Sequence, residues 1–146
     1  MGMYSATFDP ITIKEKFGIT VEHLGENIFL NEISKSDENI AKNIAQNVMD
    51  RCTVVDTRKT DFKELTENGK MYLAYKKLID TYKLSAINTK CDPEMGIHYG
   101  RCSCLSHALL VDEGIMSACE GDIHQTISMM ILNYLSSKPV MFLDIF

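Results

Sequence analysis

Two acidic residues in the last third of this chain have the types and positions that chemistry requires. Glu120 follows the short apolar run 117–119, and Asp144 follows the apolar run 139–143. A strongly hydrophobic helical segment separates the two runs, so the pattern predicts a strand–helix–strand unit. If the strands are parallel, both carboxylates leave the same carboxyl edge of the sheet, where open α/β sheets build their ligand sites. Glu120 and Asp144 are therefore the candidate catalytic residues.

The same two carboxylates are candidate metal ligands. Carboxylate oxygens are hard ligands that suit Mn2+ or Mg2+, and two of them leave coordination positions for water and substrate oxygens. A metal held in this way acts as a Lewis acid. A single acid at the end of a strand is more often a solvated or capping residue, so the prediction depends on the two acids lying together.

Alternating helices and strands are predicted to position this pair. Helical patterns run from Pro10 to Lys16, from Ser36-Asp37 through Met49, from Phe62 to Tyr82, from Cys102 to Val111, and from Asp122 to Leu135. Strand patterns cover 19–24, 85–89, 115–119 and 140–144, whereas 27–33 and 52–56 fit a short strand or a loop, and 91–100 a loop that could contact a substrate. The order predicts one three-layer α/β/α domain over residues 1–146, with a mostly parallel, Rossmann-like sheet and right-handed crossovers.

Apolar stripes indicate which helix faces are buried. The helix that begins near Asp37 has the stripe Ile40, Ile44, Val48 and Met49, and the helix from Cys102 packs through Leu105, Ala108 and Leu109. Asn68-Gly69 is a candidate break in the long helix. The last helix is apolar on all sides, which predicts that neighbouring layers or a further domain bury it.

Composition and charge exclude several classes of protein. The chain is 45% hydrophobic and 24% charged, as in ordinary globular proteins rather than disordered ones. A net charge of -5 without a basic cluster argues against a nucleic-acid surface. No apolar run reaches the roughly 20 residues of a membrane span, and the start lacks a signal-peptide pattern, so we expect a soluble, cytoplasmic protein. The five scattered cysteines indicate reduced thiols rather than a disulfide framework.

The C-terminal third carries a family resemblance. The segment 119–122 (Cys-Glu-Gly-Asp), with 126–129, Leu135-Ser136 and 142–144 after it, closely resembles the L-fucose isomerase family and the broader fucose/arabinose isomerase-like group. In that group a Glu-x-Asp motif opens a helix, and a second Asp closes the next strand at the interval found between Glu120 and Asp144. The segment 3–9 is similar to the start of the family's second domain, so the resemblance extends over nearly the whole chain.

The resemblance implies an aldose–ketose isomerase that interconverts a monosaccharide with its 2-ketose through a cis-enediol. The family's metal-binding acids map onto Glu120 and Asp144, which would also move the proton between C1 and C2, with Mn2+ or another divalent cation such as Mg2+ as cofactor. The family's third ligand is a His of a later domain, and none of the four histidines here matches that motif: His23, His98, His107 and His124. The segment 91–94 differs from the family's sugar-contacting loop, so the sugar is left open.

The chain stops at Asp144-Ile145-Phe146, directly after an apolar run, which predicts the middle domain of a longer polypeptide. Its partners would then be the N- and C-terminal domains of the same polypeptide and, from the resemblance, further copies in a homo-oligomer. Alone, the domain is expected to be inactive, because it holds two of three metal ligands.

Two other functions are alternatives. A non-catalytic α/β module would keep the fold and bind a sugar or a protein partner without turnover. A thiol redox protein centred on Cys102 and Cys104 would require a strongly lowered thiol pKa. The same Cys-x-Cys pair is a weak signal for zinc, because no second pair accompanies it.

Overall fold

The computed structural model describes residues 7–52 and 61–142. In chain order its elements are α1 (Pro10–Phe17), α2 (Glu26–Lys35), α3 (Glu38–Arg51), α4 (Phe62–Tyr82), β1 (Ala86–Thr89), a π-helical turn (Cys91–Met95), α5 (Gly96–His98), α6 (Cys104–Asp112), β2 (Met116–Cys119) and α7 (Ile123–Ser136). Helices dominate the described residues, and the two strands form one parallel sheet.

Several helices begin where aspartates mark them. Asp9, Asp37, Asp61 and Asp122 accept hydrogen bonds from backbone N–H groups in the first turns of α1, α3, α4 and α7. These N–H groups have no partner inside the helix, which is why an aspartate at this position is stabilising. Gly18 ends α1 with a left-handed φ of 70°. The predicted helices at these four positions are confirmed.

The sheet lies between two groups of helices. Thr89 is paired with Cys119, so the two strands end at the same level. Ile87 packs into a core built largely by α4, whereas Ala118 packs against Met129 of α7 on the other face. The predicted parallel pairing of these strands is confirmed. The three-layer, Rossmann-like arrangement stays a prediction, because two strands are too few to define it.

Four segments differ from their predicted conformation. Residues 19–24 form no regular element, and 27–33 lie inside α2 rather than in a strand or loop. The spacing of Phe29 and Ile33 explains the second difference: residues four apart share one helix face, and both are buried, packed in the same core as α4. The predicted loop 91–100 is mostly helical. Residues 140–142 form no strand, and the rest of that prediction, like most of 52–56, lies outside the described residues.

Helix α4 is continuous through Asn68-Gly69, so the candidate break is not a break. A methyl group at Gly69 would lie 2.8 Å from the backbone oxygen of Ala41, which shows how closely α3 and α4 approach. The close approach also shifts the buried stripe of α3. Ala41 and Ala45 are fully buried, whereas Ile40, predicted to face the core, is 50% exposed.

Gly69→Ala is expected to lower the free energy of unfolding by about 2 kcal/mol, because the added methyl must push two helix backbones apart. Urea unfolding followed by circular dichroism measures the change. Gly96→Ala is the matched control: Gly96 has a helical φ of −61° and open space around its missing side chain, so this variant should be as stable as the wild type or slightly more so. Wild-type stability of Gly69→Ala would contradict the contact with Ala41.

The inward face of α6 combines buried polar residues with the apolar Leu110 and Val111, and it differs from the predicted apolar stripe. Ala108 is exposed and Leu105 and Leu109 are only partly buried, whereas Ser106 and His107 are buried. Ser106 Oγ donates to the backbone oxygen of Asn68 at 2.8 Å. The polar side chains can be buried because each finds a hydrogen-bond partner. Apolar periodicity cannot reveal such a face.

The second half of α7 is not buried by the neighbouring layers that the structure describes, and its burial by a further domain stays a prediction. Its large apolar side chains reach solvent in the described part of the chain: Ile131, Leu132, Tyr134 and Leu135, the last with 80% of its area exposed. Buried residues are confined to the first half, at Thr126, Ile127 and Met129. Neither this helix nor any other in the described ranges is long and apolar enough to cross a membrane.

Candidate active site

Glu120 is the first residue after β2, at the carboxyl end of the sheet. Because β1 runs parallel to β2 and ends beside it, Lys90 leaves the same edge. Glu120 therefore lies at the predicted edge. Asp144 lies outside the described residues, so the pairing of the two acids stays a prediction.

The backbone after β2 turns through two left-handed residues. Glu120 has a φ of 66° and Gly121 a φ of 73°. Lys83 and Ser137 also have positive φ, but they end helices, where left-handed backbone is common. Glu120 follows a strand instead. Left-handed backbone costs a residue with a side chain about 1 kcal/mol or more, and such strain is concentrated at functional sites.

Hydrogen bonds within the turn and from β1 hold this turn in place. Asp122 Oδ1 accepts from the backbone N–H of Gln125 at 2.9 Å and so begins α7. Asn88 reaches across from β1: its Nδ2 donates to the backbone oxygen of Asp122 at 2.9 Å, and its Oδ1 accepts from the N–H of Gly121 at 2.8 Å. The same N–H lies 3.2 Å from the backbone oxygen of Thr89. The position of the turn is therefore fixed relative to the end of β1.

Two adjoining cavities open at this edge of the sheet. Glu120 lines the smaller one, of about 340 Å³, together with Glu22 and His23 from the segment before α2. The larger one, of about 690 Å³, lies beside it, and Asn88 and Lys90 line both. Both volumes are within the range of small-molecule sites, which run from about 300 to 1,000 Å³. The candidate acid thus faces space in which a small molecule could bind.

Ion pairs hold both ends of the predicted substrate loop 91–100 in place. At its start, Lys90 Nζ lies 2.5 Å from Glu94 Oε1, and this ion pair lowers the pKa of the Glu94 carboxyl. After its end, Arg101 donates two hydrogen bonds of 2.9 Å to the carboxylate of Glu64 on α4. The segment therefore has a defined place beside the cavities.

The histidines occupy four different environments. His23 lines the smaller cavity with its ring stacked on Phe8, at 5.8 Å between ring centroids. His98 pairs with Glu26 at 2.5 Å between Nδ1 and Oε2. His124 is exposed on α7, and His107 is buried. Of these four histidines, His23 is the one that lines the smaller of the two described cavities together with Glu120.

A complete metal centre is not formed within residues 7–52 and 61–142. In these ranges no group of three or more His, Cys, Asp or Glu side chains lies together in a way that could hold a metal ion. Of the two predicted ligands, the structure describes Glu120. Because Asp144 lies outside the described residues, the predicted Mn2+ or Mg2+ site stays a prediction.

The cysteine environments argue against the redox alternative. Burial raises the pKa of the Cys104 thiol, whereas a redox centre at Cys102 and Cys104 requires a lowered one. Another pair lies closer to Glu120: a hydrogen bond between the thiols of Cys119 and Cys91 lowers the pKa of Cys91 and raises that of Cys119. Both cysteines pack into the core around α4.

A buried chain of hydrogen bonds supports the end of β1 from behind. Thr89 Oγ1 donates to Tyr75 Oη at 2.8 Å, and Tyr75 is hydrogen-bonded to Ser103. Ser103 Oγ lies 3.0 Å from His107 Nε2, and His107 Nδ1 lies 2.6 Å from Ser117 Oγ of β2. Burial lowers the pKa of His107 to about 4 and raises that of Tyr75, so both are neutral at pH 7. The chain ties α4 and α6 to both strands.

Sequence reasoning missed three residues of this site: Asn88, Lys90 and His23. The first two could have been found, because they lie at the end of the predicted strand 85–89, and parallel strand ends share one edge. His23 could not, because the alternation over 19–24 predicts a strand, and only the structure brings that segment to the cavity.

Gly121→Ala is expected to lower the free energy of unfolding by about 1 kcal/mol, because only glycine adopts a φ of 73° without strain. The new methyl would lie 3.5 Å from Lys90, an ordinary contact, so the cost comes from the backbone conformation alone. Gly114→Ala, at a φ of 81° in open space, should lose the same amount in thermal unfolding. A clearly larger loss at Gly121 would show that the contact with Lys90 also matters.

The fold and the site together define a helix-rich α/β protein with a candidate acid at the carboxyl edge of a parallel sheet. No protein-family model matches the chain. The chain is 28% identical over 131 residues to a sulfoquinovose isomerase of Clostridium sp. (strain MSTE9), an alignment that covers 88% of this chain and 28% of that protein.

Shorter alignments connect it to two more proteins of the same name. The sulfoquinovose isomerase of Alkalicoccus urumqiensis is 39% identical over 64 residues, or 44% of this chain and 14% of that protein. That of Priestia megaterium (strain ATCC 12872 / QMB1551) is 34% identical over 61 residues, or 42% of this chain and 14% of that protein. The chain is thus similar to proteins named as sugar isomerases, and it spans less than a third of their length.

Proposed function

We propose that this chain is one domain of an aldose–ketose isomerase that acts on a monosaccharide, and that sulfoquinovose is the first substrate to test. The observation that carries the proposal is the place of Glu120, at the carboxyl edge of a parallel sheet and beside a cavity, in a chain whose relatives are named sulfoquinovose isomerase. The resemblance of residues 119–122 to the L-fucose isomerase family supports the same class of reaction.

The proposed chemistry needs one carboxylate within reach of two carbon atoms. Conversion of an aldose to its 2-ketose moves hydrogen from C2 to C1 and from O2 to O1. Glu120 would take the proton from C2 and return it to C1 by way of a cis-enediol. Lys90 would stabilise negative charge on the sugar oxygens, because it is a cation that lines the same cavity.

Asp144 has a second role in the proposal, as the partner of Glu120 in holding Mn2+ or another divalent cation such as Mg2+. When bound, the ion would act as a Lewis acid on the sugar oxygens. The resemblance implies that a His from a later domain completes the set of ligands. Glu120 would then need one carboxylate oxygen, or a water molecule, to carry the proton.

We further propose that the domain works inside a longer polypeptide with N- and C-terminal domains, assembled as a homo-oligomer. The exposed apolar second half of α7 supports this, because a contiguous apolar surface of this kind marks an interaction site in soluble proteins. Light scattering on the complete gene product measures the assembly. A monodisperse monomer would contradict the oligomer.

The experiment that tests the function uses the complete gene product, stripped of metal by a chelator and assayed with and without added Mn2+. Sulfoquinovose is offered beside an aldohexose and an aldopentose, and NMR follows the appearance of the 2-ketose in deuterated water. We expect ketose to form with Mn2+ and to carry deuterium at C1 in the fraction of turnovers in which the proton held by Glu120 exchanges with solvent before it is returned. Sugar binding in calorimetry without any ketose would instead favour the non-catalytic module.

A further inference from the structure

Asn88 differs in character from its neighbours on the sheet face that packs against α7. Its neighbours on that face, Ala86 and Ala118, are small and apolar and pack against or beside the core under α7. Asn88 uses both functions of its amide instead: Nδ2 donates to the backbone oxygen of Asp122 and to Thr126 Oγ1, at 2.9 and 2.7 Å, and Oδ1 accepts at 2.8 Å from Gly121. Every one of these bonds ends on the turn after β2 or on the first turns of α7.

The hydrogen bonds of Asn88 lie next to the residues of the turn whose backbone conformation is unfavourable. Glu120 and Gly121 both have left-handed backbone, which a Glu residue adopts only against a conformational cost. The N–H of Gly121 belongs to the peptide unit that directly follows Glu120, so its bond to Asn88 restricts the ψ angle of Glu120. The bond to the oxygen of Asp122 fixes the far side of the turn. The direction in which the Glu120 side chain leaves the backbone is thereby set.

We propose that Asn88 is a positioning residue for Glu120: its amide clamps the left-handed turn from the neighbouring strand and so directs the carboxylate into the cavity that both residues line. This inference rests on the proposed function, in which Glu120 moves the proton. Asn88 itself takes no part in the proton transfer, because its amide groups are engaged with the turn.

A purely structural role of Asn88 would appear as a loss of stability in its variant, whereas a positioning role would appear as a loss of kcat in a folded variant. If Asn88 is removed, the N–H of Gly121 still has the backbone oxygen of Thr89 at 3.2 Å, so the pairing of the strand ends retains a hydrogen bond. What is lost is the restraint on the conformation of the turn. The variant is therefore expected to fold, with the carboxylate of Glu120 displaced.

The test is a double-mutant cycle in the complete gene product, with Asn88→Ala, Glu120→Gln and the double variant assayed for sugar isomerisation. We expect Asn88→Ala to lower kcat about 10- to 100-fold, since a misplacement of about 1 Å costs as much, with a much smaller change in KM. In the Glu120→Gln background the same substitution should cause no further loss, because the residue on which Asn88 acts is already disabled. Asn133→Ala removes an exposed amide of α7 that bonds to Lys138, and it should leave kcat unchanged.

The outcomes separate this inference from the proposed function. If Glu120→Gln abolishes turnover but Asn88→Ala is as active as the wild type, or its loss adds in full to that of Glu120→Gln, the inference is wrong and the function stands. If no sugar is converted by the wild type, the function fails, and a crystal structure of Asn88→Ala decides the inference without an assay. A left-handed Glu120 with an unmoved carboxylate in that structure would overturn it, whereas a displacement of about 1 Å or more would support it.

Discussion

Glu120→Gln is expected to reduce kcat for the aldose–ketose conversion about 1,000-fold, within the range that a general acid–base residue contributes. Glutamine has nearly the same size and shape and can still accept a hydrogen bond, but it cannot take a proton from C2. The effect should therefore appear chiefly in kcat, with a weaker response to Mn2+ because Glu120 is also a proposed metal ligand, while thermal stability stays close to that of the wild type. Steady-state kinetics on the complete gene product and a thermal melt measure both.

The matched control for this prediction is Glu15→Gln. Glu15 is an exposed glutamate on α1, so the same chemical change there should leave turnover unaltered. Asp144→Asn extends the prediction to the second acid: it should also lower kcat and weaken the response to Mn2+ if the two acids share an ion. Wild-type turnover in Glu120→Gln would remove this residue from the mechanism, whatever Asp144→Asn does.

The second large effect is a loss of stability in mild acid, caused by His107. Burial lowers the pKa of His107 to about 4 in the folded protein, against an ordinary value of 6.5. Between these two values the unfolded chain binds a proton that the folded protein does not bind, so the free energy of unfolding falls as the pH falls from about 6.5 to about 4. The difference corresponds to a loss on the order of 3 kcal/mol by the lower end of this window.

Urea unfolding at several pH values from 4 to 7.5 measures this loss, with His107→Gln as the comparison. Glutamine offers a donor and an acceptor to Ser103 and Ser117 but does not titrate, so the stability of this variant should depend less on pH across the window. His124→Gln changes an exposed histidine and should keep the wild-type dependence. In NMR, the His107 ring should stay neutral down to about pH 5; a titration midpoint near the ordinary value would contradict the prediction.

Local signals in the sequence were sufficient for much of the helical structure. An aspartate at the N-cap indicates where a helix begins, because the capping interaction involves only a few neighbouring residues. The edge position of Glu120 could also be predicted, since an apolar run followed by an acid and then a capped helix describes the end of a parallel strand. These features depend on residues close together in the chain.

The features that escaped prediction depend on distant partners. Polar side chains at α6 can be buried because Tyr75, Asn68 and Ser117 supply hydrogen bonds, and the spacing within α6 reveals none of these partners. Helix α3 turns Ala41 inward instead of Ile40 because Gly69, in another helix, leaves room for close contact. The role of Asn88 likewise depends on the turn after β2, more than 30 residues further along the chain.

The left-handed backbone at Glu120 has a consequence for anyone who wishes to make the protein more robust. Glycine or asparagine would occupy this conformation at lower cost, so a heat-survival screen blind to catalysis should recover Glu120→Gly or Glu120→Asn as improved clones. Such clones would tolerate higher temperatures and convert no sugar. Directed evolution for thermal stability should therefore keep codon 120 constant, since substitutions at this position that raise stability abolish turnover.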